Sequence, residues 1–172
     1  MRQMFPFTSD RIARSAMGQR LAGFIYGTIV ALSVIVGGAR AYPHEPGHIA
    51  VLVGATCVTF WLAHVYAHGL GHSVHRGEHL SFAELVRIAH GEASILEAAL
   101  PPIVALLFGA LGIFSPHTAV WTAFALGLVV LAAQGLVFAR IELLGRLATV
   151  AVVAANLGLG LLLVALKLLL TH

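Results

Sequence analysis

Apolar residues run along the chain in five long blocks, at 21–39, 49–70, 93–114, 118–139 and 147–170. Each is close to the roughly 20 apolar residues a helix needs to cross a bilayer. The first reads LAGFIYGTIVALSVIVGGA. Breakers separate the blocks: YPHEPG after the first, SPH after the third, and the charged RIELLGR after the fourth. The pattern predicts an all-α, polytopic membrane bundle with five transmembrane helices. Residues 1–20 are read as an N-terminal segment and 21–172 as a single transmembrane domain.

One stretch between the second and third blocks has a different period. In LSFAELVRIAHG, Ser81 and Glu84 fit a capping box. Phe82, Leu85, Val86 and Ala89 share one apolar face, and Gly91 is a stop signal. A short helix over about 81–90 is predicted to lie on the membrane surface. Small residues four apart occur in the first block (Gly23 and Gly27), the fourth (Ala123 and Gly127) and the fifth (Ala154 and Gly158). They let helix backbones approach closely and are read as packing positions.

Composition strengthens the membrane reading. The chain is 59% hydrophobic and only 10% charged, with mean hydropathy +0.94. Soluble domains carry about 25% charged residues. The net charge of +3 is not a nucleic-acid signature. Arg2, Arg11, Arg14 and Arg20 precede the first block, Arg76 and Arg87 follow the second, and Arg140 and Arg146 follow the fourth. The opposite side has Arg40 and, near the C-terminus, Lys167. This bias predicts a cytoplasmic N-terminus and an external C-terminus. The single cysteine, Cys57, excludes an intrachain disulfide. Lys167 is the only lysine against nine arginines in a chain rich in Ala, Gly, Val and Leu. That composition suggests a GC-rich bacterium, hence a multi-pass protein of the inner (plasma) membrane. The implied partners are the lipid bilayer and either further copies of the chain, as a homo-oligomer, or a larger membrane complex.

The polar chemistry is concentrated. HVYAHGLGHSVHRGEH, residues 64–79, holds five of the ten histidines. At about 100° per residue, His64, His68, His72, His75 and His79 would fall within about 80° of one another on a continuous helix. Glycines at 69, 71 and 77 leave that continuity open. Counting about twenty residues from Ile49 puts His64 one turn inside the membrane and His68 at its edge. Glu97 lies at the same depth on the third block. Pro101 and Pro102 follow it, predict a helix kink, and remove the N–H groups that would bond the carbonyls of Glu97 and Ala98. Gln134 lies slightly deeper. Ionisable groups at such depth default to a functional reading. The sequence therefore points to a proton or cation pathway through Glu97, His64, His68 and Gln134, with Glu97 and His64 as a candidate pair. His68, His72, His75 and His79 are the candidate ligands of a divalent metal such as zinc, although a solvated face explains the outer three as well. No cofactor is otherwise implied. HEPGH, residues 44–48, has the letters of the zinc-protease motif, but Pro46 denies it the regular helix that the motif requires. No catalytic set emerges, and the chain is read as a non-enzyme.

FWLAHVYAHGLG at 60–71 and EAALPPIVALLFGALG at 97–112 resemble the small, uncharacterised integral membrane proteins of actinobacteria. That resemblance implies a membrane bundle and brings no activity. RLAGFIYG at 20–27 is faintly similar to the first-helix motif of the lysosomal and bacterial potassium-channel family, whose signature is Arg, three residues, then Phe-Ser-Asp. Arg20 and Phe24 match; Ile25 and Tyr26 stand where that family has Ser and Asp. Trp61 and His64 resemble a pair in its second helix, and no pore residue is carried over. Three functions follow: an oligomeric conduit for protons or cations, an accessory or assembly subunit of a larger complex, and a histidine-rich metal-binding membrane protein. The five-span topology is tested by single cysteines at Ser9 and Thr171, which should react from opposite sides of the membrane. Labelling of both from one side would exclude an odd number of spans.

Overall fold

A computed structural model describes residues 7–76 and 81–170, the side chains of 7–16, 75, 76, 166–168 and 170 excepted. The described residues form six helices and no strand: α1 (Phe7–Ala41), α2 (Pro46–Arg76), α3 (Phe82–Gly91), α4 (Ser94–Ala110), α5 (Pro116–Ile141) and α6 (Arg146–Leu170). Local chemistry sets several of the boundaries. Pro46 opens α2, a position where its missing N–H costs nothing. The capping box of α3 forms as predicted: Ser81 Oγ accepts from the Glu84 N–H at 3.3 Å, and Glu84 Oε2 accepts from the Ser81 N–H at 3.1 Å. Ser115 caps α5 by accepting from the Thr118 N–H at 3.1 Å. The turn after α4 passes through Gly112 at φ 76°, a conformation that suits glycine.

Four helical segments are long and apolar enough to cross a membrane: Met17–Ala41, Pro46–Val74, Pro116–Ile141 and Arg146–Ala165. The third predicted block is shorter than expected. α4 has 17 residues, about 26 Å at 1.5 Å per residue, less than the roughly 30 Å hydrocarbon core. Residues 111–114, read as its end, form a turn instead. The count reaches five only when α3 and α4, bent by 45° at their junction, are taken as one broken span. That bend falls at Glu92–Ala93, ahead of Pro101 and Pro102, which sit inside α4 without ending it. Large apolar side chains stay exposed on the outer surface, among them Val51, Leu62, Leu100, Val129 and Leu162. Such a belt is unfavourable in water and suits hydrocarbon.

α1 is the hub and touches each of the other five helices. Ala31, Leu32 and Ile35 on α1 are fully buried with Phe124 of α5, Val53 of α2 and Leu106 of α4. Two of the small-residue pairs act as expected. Gly23 lies against Ser94, and a Cβ on Gly27 would meet the Ile95 carbonyl oxygen at 2.5 Å and Ile95 Cα at 2.9 Å. Gly127 receives Leu32, whose Cδ2 would stand 2.6 Å from an added Cβ. The third pair does not pack within the chain: Ala154 and Gly158 are exposed, and Gly160 is the glycine that α6 turns inward, onto Leu128 and Leu131.

Gly27→Val is expected to lower stability by about 1–3 kcal/mol, because rigid backbone on α4 cannot yield to the new side chain. Gly37→Ala, with nothing within 4 Å of the added methyl, should leave the melting temperature in detergent unchanged or slightly raised. Equal melting temperatures for wild type and Gly27→Val would show that the contact is not tight.

Candidate functional site

α2 continues to Arg76 despite Gly69 and Gly71. A glycine costs a helix about 1 kcal/mol relative to alanine, and tertiary contacts here offset it. Gly69 is buried, and Trp61 Nε1 donates to the Ala89 carbonyl of α3 at 3.0 Å. His64, His68, His72 and His75 therefore do share one helix. His79 lies outside the described residues.

Three elements converge on His68. Gln19 comes from α1, His68 from α2, and Glu92 from the bend between α3 and α4. Gln19 Nε2 donates to Glu92 Oε1 at 2.7 Å, and His68 Nδ1 lies 2.7 Å from the same oxygen. Gln19 Nε2 is also 3.3 Å from His68 Nδ1. The Glu92 side chain is only 4% exposed, whereas that of His68 is 50% exposed. A buried carboxyl thus meets solvent through a half-exposed imidazole. Glu92 Oε2 takes no hydrogen bond among the described residues.

Glu97 and His64, the expected pair, do not meet. Glu97 accepts from Arg20 Nη2 at 3.1 Å, with both side chains about half exposed. His64 Nδ1 lies 3.0 Å from the Phe60 carbonyl on its own helix, and its ring stands 5.0 Å from that of Tyr26. The reason is azimuthal. Glu97, in the first turn of α4, comes round to Arg20 of α1, while His64 turns to Tyr26. His64 and His68 are successive along the α2 stripe, their ring centroids 6.4 Å apart. Gln134 is half-buried on α5 and hydrogen-bonds to neither Glu97 nor His64 among the described residues.

His72 faces a different carboxylate, with Nε2 3.9 Å from Glu84 Oε1, which Arg87 Nη2 also approaches at 3.7 Å. Among the described residues no three His, Cys, Asp or Glu side chains converge on a point that could hold a metal ion.

Two open clefts meet at this cluster. One, about 630 Å³, is lined by Gln19, His68, His72 and Arg87. The other, about 610 Å³, runs between α1 and α2 past Ile25, Tyr26, Ile29 and His64 to Glu92. Gln19 and His68 line both. Gln19 and Glu92 went unrecognised in the sequence. Glu92 follows the predicted stop at Gly91 and precedes an apolar block, which is the signal that could have singled it out. Gln19 carries no such signal.

Comparison with protein-family models, curated proteins and solved structures finds no match to this chain.

Glu92→Ala should destabilise the fold by about 1–3 kcal/mol, since it leaves Gln19 and His68 without their shared acceptor. Arg20→Gln, which opens a half-exposed ion pair, should cost about 0–1 kcal/mol. Thermal unfolding in detergent ranks the two, and a larger loss for Arg20→Gln would make the ion pair, not the buried carboxyl, the main tie.

Proposed function

We propose that this chain is a multi-pass protein of a bacterial inner membrane that exchanges protons or small cations through His68 and Glu92 and works as a homo-oligomer. One observation carries the reading: a carboxyl 4% exposed has an oxygen 2.7 Å from Nδ1 of a half-exposed imidazole. His68 can trade a proton with water, and Glu92 can take it out of water's reach. His64 is the next titratable ring along α2. Arg20, Arg87, Arg140 and Arg146 belong to the same end of the bundle as His68, and Arg40 to the other, which supports a cytoplasmic position for that end. Glu97, paired with Arg20, serves to hold α1 to α4.

The oligomer follows from what lies beyond His64. Thr28 is fully buried and donates to its own helix at Phe24, and the adjoining α1 positions are Ala31, Leu32 and Ile35. An ion path continuing past His64 therefore needs a lining that one copy does not supply. An accessory-subunit role is the second reading, favoured by α6: only 6% of its apolar window is buried, against 56% for α1.

Proteoliposomes holding a pH-sensitive dye test the first reading. Wild type should dissipate an imposed pH or cation gradient, and Glu92→Gln should slow this at least tenfold while assembling normally. Undiminished flux in folded Glu92→Gln would remove the carboxyl from the path. Absence of wild-type flux under every gradient would favour the accessory subunit.

A further inference from the structure

We infer that the cleft between α1 and α2 binds a lipid-soluble organic cation, a quaternary or protonated amphipathic ammonium or phosphonium. The inference names a substrate class for the site proposed above and rests on that reading of Glu92.

The cleft's volume, about 610 Å³, lies within the roughly 300–1,000 Å³ usual for small-molecule sites. Its walls are of two kinds. Ile25 and Ile29 supply apolar surface, and Tyr26 and His64 supply rings. Tyr26 also stands 5.7 Å from Phe60, so the rings form a continuous aromatic patch. Aromatic faces attract cations, more so where water is scarce. Tyr26 is 38% exposed, leaving this patch open to a ligand arriving along the side of the bundle.

The lining holds no fixed positive charge, and His68 beside Glu92 is its titratable base. Glu92 is the single carboxylate among the described lining residues, which include no lysine or arginine. Its side chain is nine-tenths buried or more, and Oε2 is without a hydrogen bond among the described residues. The basic side chains nearby are committed elsewhere: Arg20 to Glu97 at 3.1 Å, and Arg87 to Glu84 at 3.7 Å, beside the other cleft. A carbonyl only accepts, so His64 donates from Nδ1 to Phe60 and leaves Nε2 free to face the cleft.

The same surroundings select against a bare metal ion. A hard cation gives up its water only to several oxygen ligands, whereas this cleft has one carboxylate and long stretches of hydrocarbon. A cation whose charge is spread over apolar groups loses little hydration on entry and gains contact with Ile25, Ile29 and Tyr26. Binding beside Glu92 would compete with His68 for the carboxylate.

Equilibrium dialysis of tetraphenylphosphonium against the full chain in non-ionic detergent, corrected with empty micelles, tests this. Wild type should bind saturably. Glu92→Gln should weaken binding at least tenfold, Tyr26→Leu severalfold, and Tyr26→Phe hardly at all. Glu45→Gln, at the far end of the bundle, should bind as wild type does. Tetraphenylborate, of the same shape and opposite charge, should not compete. The inference is overturned if wild type does not bind saturably, if folded Glu92→Gln retains full affinity, or if tetraphenylborate competes equally. Should Glu92→Gln fail to fold, wild-type affinity in Tyr26→Leu overturns it. Proton flux without phosphonium binding would overturn this inference and spare the conduit. Binding without flux of any ion would support the cleft and count against the conduit.

Discussion

The backbones of α1 and α4 touch because Gly23 and Gly27 have no side chains to keep them apart. Ser94 and Ile95 occupy the space that two Cβ atoms would fill. In a membrane, where apolar surface gains little by leaving lipid, such close approach is a principal source of helix association. The contact also determines the site. Gln19 lies one turn before Gly23 on the same face of α1, and Glu92 lies just ahead of Ser94. Docking glycine against serine therefore brings amide and carboxyl within 2.7 Å. The next residue on α1, Arg20, meets Glu97 one turn further along α4. Both polar ties between these helices are registered by the same two glycines.

A carboxyl placed this way is expensive to desolvate. The chain limits the cost by putting Glu92 at a helix junction rather than within a span, where His68 and Gln19 can reach one oxygen. The 45° bend between α3 and α4 serves the same end. It turns α3 aside so that Glu92 points under α1 and α2, and the Trp61–Ala89 hydrogen bond holds α3 in that position. Buried Ser94 Oγ finds no hydrogen-bond partner, the one such side-chain atom among the described residues. It sits at the tightest point of the α1–α4 contact, where close packing leaves no room for a partner.

Beyond this end the bundle is conventional and dry. The buried layer around Leu32, Ile35 and Phe124 contains Thr28 as its polar member, and Thr28 is bonded within α1. The interhelical ion pairs lie at this end, around the turns that join α2, α3 and α4. α6 stands apart, held by α5 and α1 through Gly135 and Gly160 but otherwise open to its surroundings. Its exposed Ala154 and Gly158 face outward, so helical spacing alone did not tell an internal contact from an external surface.

The sequence by itself determined the helical class, the apolar segments and the cap at Ser81. These follow from local propensity and from distance along a helix, both of which are properties of neighbours in the chain. It also placed the histidine stripe, because a period of 3.6 residues is the same in any helix. Only the tertiary structure decided which groups meet. Glu97 and His64 do not pair, whereas Glu92 and His68 do. Pairing depends on how far each helix is rotated about its axis, and here that rotation is set by glycine contacts between α1 and α4. Rotation and docking arise from contacts between distant segments, and a hydropathy pattern carries no information about them.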